Sequence, residues 1–402
     1  MTIATPAATE RRLLLLLAAM QFTHLLDYMI LIPLGAELMR VFSVTAAQFG
    51  LLIGVYTLAS ALTGICGALW LDRGDRRITL LMLYAGFIVA TFGCALAPNF
   101  AALMAARALA GACAGLMTAT VMALIVDRVE PARRGAAMGT VMSAFGASAV
   151  AGVPLGLFLA AQSSWRLPFF FVAALAIAVW LLLFRVLPST RAAAGARHAS
   201  IGDIFAMPGL AFGWLLTFCI VFAGFLIVPY IGAFLNGNLG VSVADLSWIY
   251  LAAGAATFFS ARWIGRAADR VGPARVLTLL MLASVLAHLA FTHLPPSPLP
   301  LIAAVFVAFM VLTSSRAIPA LSLIAGMVPP PLRGRYMAAN MACSDAASGL
   351  AAWTAGLIVS GAPSAPLNDF GQVGWLAVGV TAIGLCVLWK LLGAQRAIAQ
   401  PA

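Results

Sequence analysis

The sequence predicts an all-α membrane protein of twelve transmembrane helices in two pseudo-symmetric six-helix bundles, and three observations predict it. First, 63% of the 402 residues are hydrophobic and only 9% are charged, against roughly a quarter charged in a water-soluble domain. Most of such a chain must lie in lipid. Second, twelve apolar runs reach the roughly 20 residues that a helix needs to cross a hydrocarbon core of ~30 Å. Third, two charged landmarks recur at nearly one offset. Asp72-Arg73 and Asp269-Arg270 are 197 residues apart, and Arg134-Gly135 and Arg333-Gly334 are 199 apart, which marks an internal repeat.

The first run, residues 13–36, follows Arg11-Arg12 and continues through Asp27 to Leu34 without a small-residue cleavage site, so it reads as an uncleaved helix rather than a leader. The second, 46–71, ends on Asp72 and Arg73, and the third, 78–97, begins just after Arg76 and Arg77. The fourth, 100–126, carries Arg107 with Gly111 and Gly115; the fifth, 136–161, carries Gly152, Pro154 and Gly156. Glycines four apart share a helix face and let backbones approach closely, while a proline bends its helix. The sixth run, 167–187, completes an N-terminal bundle of residues 1–187. A cytoplasmic linker over 188–208, holding Arg191, Arg197, His198 and Asp203, separates it from a C-terminal bundle of residues 209–402. The runs there are 209–235, 243–266, 275–294, 299–328, 336–361 and 373–393, with Pro319 bending the tenth.

The net charge of +11 raises the possibility of a nucleic-acid partner, and its placement excludes one. The basic residues sit in short segments between apolar runs, with no basic stripe studded by aromatic residues. With the N-terminus inside, nineteen of the 23 basic residues fall on the cytoplasmic side, so the positive-inside rule puts both termini in the cytoplasm of a bacterial-type inner (plasma) membrane. All six cysteines lie within apolar runs, with no Cys-x-x-Cys or Cys/His metal spacing, and read as small buried hydrophobes. No metal is expected. A phosphate-binding loop of the Walker type and a His-Glu-x-x-His helix are both missing from the sequence.

The segment from Ala68 to Arg77 resembles the G-x-L-x-D-R-x-G-R-R signature of the major facilitator superfamily, with Ala68 and Asp75 replacing its two glycines. Its C-terminal copy, Gly265 to Gly272, keeps both glycines. Arg107, Gly111 and Gly115 are similar to the R-x-x-x-G-x-x-x-G motif of proton-coupled members. Gly146 and the stretch Gly152 to Gly156 resemble the glycine-proline motif of drug:proton antiporters, and with Trp165-Arg166 they resemble the arabinose-efflux-permease-like exporters. The resemblance spans essentially the whole chain. It implies a monomeric secondary transporter working by alternating access, driven by the proton gradient and needing no cofactor. Its expected partners are protons, lipid and a small-molecule substrate, most simply an amphipathic drug or metabolite exported by antiport. The alternative is a proton-coupled symporter or facilitator for an organic anion. An intramembrane enzyme, for which Gly146-Ala-Ser148-Ala offers a superficial G-x-S-x match, or a receptor, is the remote alternative.

An ionised side chain at the bilayer centre costs ~2.5–3.5 kcal/mol, so each one retained there is a functional candidate. Four stand out: Asp27 and Arg107 in the first bundle, Arg316 and Asp345 in the second. Desolvation and ion pairing act in opposite senses on a carboxylate's proton affinity. Asp27 is therefore expected to carry a proton, with Arg107 as counter-ion of its ionised form, unless the two form a static pair between helices. His24, one turn before Asp27, either relays the proton or is a neutral, hydrogen-bonded histidine. Arg316 and Asp345 are both expected at the substrate pocket, with Asn340, Tyr28, Tyr56 and Tyr230 lining it and Arg316 binding a substrate carboxylate or phosphate, unless Arg316 pairs permanently with Asp345. Asp72, Arg73, Arg76 and Arg77, repeated as Asp269 and Arg270, read as a conformational latch at the cytoplasmic surface, or as plain topogenic charge.

Overall fold

The computed structural model describes residues 7–70, 75–130, 133–187, 210–329, 333–359 and 366–399. Asp72, Arg73 and the linker 188–208 lie outside these residues, so the latch is described only in part.

The described residues are nearly all helical. In chain order the helices are α1 (Ala7–Ile30), α2 (Gly35–Phe42), α3 (Ala46–Trp70), α4 (Arg76–Leu96), α5 (Phe100–Arg128), α6 (Arg134–Ala147), α7 (Val153–Gln162) and α8 (Leu167–Val186). They continue as α9 (Leu210–Phe225), α10 (Ile231–Gly237), α11 (Val243–Val271), α12 (Pro273–Thr292), α13 (Leu299–Ser314), α14 (Ala317–Met327), α15 (Arg333–Ile358) and α16 (Phe370–Ala399). Nine stretches among the described residues are long and apolar enough to span a membrane. The other three expected runs are helical as well: Arg134–Gln162, α11 and α15. Their charged or small polar residues, such as Arg262 in α11 and Asn340 and Asp345 in α15, dilute the apolar signal.

Helix starts follow from short polar side chains at the membrane surface, where the first backbone N–H groups of a helix lack partners. Asn99 accepts from Ala102 N at 2.9 Å and starts α5. Asp75 accepts from Arg77 N at 2.9 Å and starts α4, so the acid standing in place of the family glycine is a helix cap. Thr45 and Gln48 form a reciprocal capping box at the start of α3. Between α11 and α12 the chain reverses on Gly272, whose φ of 98° favours glycine.

Four expected runs are interrupted. The first stops being helical after Ile30 and resumes as α2 at Gly35, and the seventh breaks after Phe225 into a tight helical turn, Val228–Tyr230, that leads into α10. The fifth contains a π-helical turn over Ser148–Gly152, where Val153 N donates to Ser148 O five residues back. Pro154 follows in the first turn of α7 and has no N–H to donate, so the chain widens where a regular helical bond is missing. The tenth breaks between α13 and α14 at Ser315 and Arg316.

The helices fall into two compact units: Met1–Leu31 with Ala59–Ala196, and Ile32–Leu58 with Arg197–Ala402. In the first, α4 packs along α5 and α8, while α1 lies against α6, the π turn and α8. In the second, α9 packs on α15 and α16, and α12 on α13 and α16. Leu216, Leu277, Met281, Leu388 and Leu391 form part of its core. The first half of α3 also belongs to this unit, its Gly54 backbone lying against Gly349 of α15.

Candidate functional site

In the first unit, α1 brings Asp27 and α5 brings Arg107 to one point, both 0% exposed. Arg107 Nη1 donates to Asp27 Oδ2 at 2.6 Å and to the Asp27 carbonyl at 3.3 Å. Asp27 Oδ1 is buried without a hydrogen-bond partner among the described residues. Thr91 and Cys94, one turn apart on α4, stand beside the same pair, and the Thr91 hydroxyl is likewise unpartnered among them. One carboxylate oxygen is thus ion-paired, and the other is the oxygen on which a proton would sit. Sequence reasoning assigned no functional role to Thr91 or Cys94; their spacing of three on a helix whose charges, Arg76 and Arg77, lie only at its start carries little signal.

Close helix approach holds this arrangement in place. A Cβ on Gly115 would strike the Ser60 backbone of α3, and Thr63 donates to Ala112 O of α5 at 2.9 Å. Gly111 is buried on the same helix. Side chains at Gly152 and Gly156 would collide with Leu26 and Ile30 of α1, the turns on either side of Asp27. The π turn places Ser148 Oγ to donate to Phe22 O at 3.2 Å. Its hydroxyl is engaged with backbone rather than presented as a nucleophile. His24 and Tyr28 are buried on α1 near Asp27.

In the second unit Arg316 occupies the break between α13 and α14 and is 0% exposed. Its Nε donates to Thr313 O at 3.0 Å, Nη1 to Ser284 Oγ at 3.2 Å and Nη2 to Ile220 O at 3.3 Å. All three acceptors are neutral. No carboxylate of the described residues forms an ion pair with it, Asp345 included. Asp345 is half-buried on α15, with its carbonyl accepting from Ser348 Oγ at 2.9 Å. Asn340, one helix face over, accepts from Thr217 Oγ1 at 2.7 Å.

The remaining tyrosines sit deep in the second unit. Tyr56 is buried on α3. Tyr230 is fully buried, with its hydroxyl 2.9 Å from both Ala46 O and Ala352 O, joining the start of α3 to α15.

Of the charges expected at the cytoplasmic surface, Arg76 is buried and forms an ion pair with Asp127 at the end of α5, at 3.1 Å. Arg77 donates to Phe184 O of α8 at 2.7 Å. Together they tie the start of α4 to the ends of α5 and α8. Asp269 and Arg270 are exposed at the end of α11 and form no ion pair among the described residues. Sequence reasoning did not single out Asp127 or the Glu10–Arg133 pair, at 2.7 Å, because both are contacts between segments distant in the chain.

The sequence profile of the Major Facilitator Superfamily matches residues 17–212 and again 213–400. An uncharacterised MFS-type transporter of Bacillus subtilis strain 168, YceJ, is 28% identical over 273 residues, covering 67% of this chain and 70% of the relative. A bacterial homologue of the human lysosomal transporter Spinster, solved in an inward-facing, occupied conformation, superposes with a TM-score of 0.76 at 20% identity over 96% of this chain and 95% of its own. The nucleoside transporter NupG superposes with a TM-score of 0.75 at 14% identity, over 94% and 99%. At those identities the two structures share the fold. The chain belongs to the Major Facilitator Superfamily and is a multi-pass membrane transporter of small molecules, of the alternating-access type and not an enzyme.

Proposed function

We propose that the chain exports a small amphipathic drug or metabolite across a bacterial-type inner membrane in exchange for protons, as a monomer with both termini in the cytoplasm and with no cofactor. The observation that carries this reading is the Asp27–Arg107 pair, which is fully buried and leaves Asp27 Oδ1 unpartnered among the described residues. In the cycle we infer, a proton from the acidic side forms an O–H bond on Asp27 and Arg107 loses its ionic partner. When the path opens to the cytoplasm the proton leaves and the pair re-forms. The guanidinium stays charged throughout and acts as an internal counter-ion. Arg76 and Arg77, with Asp269 and Arg270 in the second half, serve on this reading as surface latches that exchange partners between states.

The test is flux in proteoliposomes under an imposed pH gradient, with ethidium and related amphipathic cations as probes. Wild type is expected to move a probe against the proton flow. Asp27→Asn is expected to lose pH-driven flux while keeping probe exchange at zero gradient. Full pH-driven flux in the variant would falsify the proton-carrier role.

A second reading, symport or facilitated movement of an organic anion, is favoured by one observation: Arg316 is a buried cation whose contacts are all neutral. The same vesicles distinguish the two, since probe accumulating on the side where protons arrive excludes antiport.

A further inference from the structure

Three features meet at the break between α13 and α14. Arg316 is a fully buried cation with no carboxylate partner among the described residues. Of its five N–H groups, three reach neutral oxygens, which leaves one on each terminal nitrogen. The Ser315 hydroxyl, in the same turn, is 2% exposed and makes no hydrogen bond among the described residues. On α12, His288 is fully buried, with Nε2 at 3.4 Å from Thr313 Oγ1 and Nδ1 without a partner among them. Gly224 of α9 adds a fourth feature, since a Cβ there would lie 3.5 Å from Arg316 Nη2. The same Cβ would lie 3.1 Å from Thr313 Cγ2, so the glycine is what lets α9 pack closely against this turn.

Each feature is costly alone. A buried charge without a counter-ion and buried polar atoms without partners are both disfavoured in a packed interior, and here Arg316 and Ser315 share one turn of chain while His288 of α12 reaches Thr313 one turn before it. A ligand that answers all of them carries one negative charge over two oxygens, to take the remaining N–H groups, and tolerates a neutral hydroxyl and imidazole beside it. A carboxylate has that form, and guanidinium binds it through two parallel hydrogen bonds.

We propose that the α13–α14 break is a carboxylate-binding subsite of the transport path. Arg316 is its charge, Ser315 and His288 are its neutral hydrogen-bonding groups, and Ser284 and Thr313 position the guanidinium. The proposal rests on the chain being a small-molecule transporter but on neither direction of coupling, and it makes the transported molecule, or its head group, a carboxylic acid in ionised form.

The experiment is equilibrium binding to the purified full-length protein. Radiolabelled benzoate, phenylacetate and gluconate are each compared with the corresponding neutral amide, with inorganic phosphate as a further probe. Wild type is expected to bind at least one carboxylate about tenfold or more tightly than its amide, and Arg316→Gln is expected to abolish that preference. Ser315→Ala and His288→Gln keep the charge and are expected to weaken the carboxylate about three- to tenfold while leaving the amide unchanged. They decide the matter even if Arg316→Gln does not fold. Equal binding of acid and amide by wild type, a preference that survives Arg316→Gln, unchanged affinity in both neutral variants, or binding of phosphate alone each overturns the subsite. Binding is read at equilibrium without a pH gradient and so does not depend on coupling. Carboxylate binding without pH-driven flux of the bound carboxylate therefore leaves the subsite standing and sinks proton coupling.

Discussion

At Asp27 the protein keeps an acid and a base in contact with no water-exposed surface on either. Removing one member of such a pair leaves a buried charge uncompensated, which costs about 3–5 kcal/mol in folded proteins, whereas replacing both with neutral groups of similar volume is often tolerated. Arg107→Ala is therefore expected to lower thermal stability well below wild type, and Asp27→Asn with Arg107→Gln to restore most of it. The two variants should also differ in their response to pH. In Arg107→Ala the carboxylate avoids the penalty only by taking up a proton, so its deficit is present at pH 8 and shrinks as the pH falls towards 5. The double variant has no carboxylate at this point and should show no such recovery. Melting curves in detergent across that range check both statements, and a pH-independent deficit in Arg107→Ala would mean that the carboxylate finds another cation. The pairing was legible in sequence because a charge in a lipid-crossing helix needs a partner. The same argument applied to Arg316 and Asp345 points to a pair that the structure does not form. Counting charges shows that a partner is needed, but which partner depends on helix rotation and on backbone carbonyls freed at a helix break. No apolar-run analysis registers either of these.

Helix lengths were legible to within a few residues, since apolar length measures the bilayer and little else. Continuity was not. The fifth and tenth runs read as unbroken, and the structure interrupts them at Ser148–Gly152 and at Ser315–Arg316. Pro154 and Pro319 signalled a bend without specifying a π turn or a two-residue break. Glycine spacing proved informative in a way that depends on what lies opposite. On α3, a Cβ at Gly54 would approach Gly349 O of α15 to 2.8 Å, and one at Gly349 would approach Gly54 O to 2.9 Å. Backbone, which cannot rotate away, stands in the way in both cases, joined at Gly349 by the side chains of Thr57 and Leu58. By contrast Gly379 of α16 has nothing within 4 Å of its Cβ position. Gly54→Ala and Gly349→Ala are therefore expected to destabilise by about 1–3 kcal/mol, the usual cost of overpacking. Gly379→Ala is expected to be neutral or slightly stabilising through helix propensity. A thermal-shift series on the three variants reads this out, and equal shifts in all of them would show that the α3–α15 contact is looser than its geometry implies.

For the whole molecule, two levels of organisation coincide only in part. The repeat in sequence divides the chain at its middle, and the family profile matches twice, with its boundary after residue 212. The contacts instead assign Ile32–Leu58 to the same compact unit as the C-terminal residues. Sequence similarity follows descent, whereas contacts follow which surfaces are packed in one conformation, and a transporter that alternates must repack some of them. Tyr230, which lies in the second profile match, joins that segment to the C-terminal residues, its hydroxyl reaching both Ala46 O and Ala352 O. Orientation in the membrane is a separate property, set during insertion by the basic residues flanking the spans. Nineteen of 23 basic residues fall on one side when both termini share it, and an odd number of crossings would scatter them. Green fluorescent protein fused to either end is accordingly expected to fluoresce, as it does in the cytoplasm. Alkaline phosphatase inserted at Gly240, in the turn between α10 and α11, is expected to be active, as it is only outside. A fluorescent phosphatase-site fusion with dark termini would invert the topology, and with it the side from which a proton carrier at Asp27 would be loaded. One bright terminus and one dark one would require an odd number of crossings and break the two-halves arrangement itself.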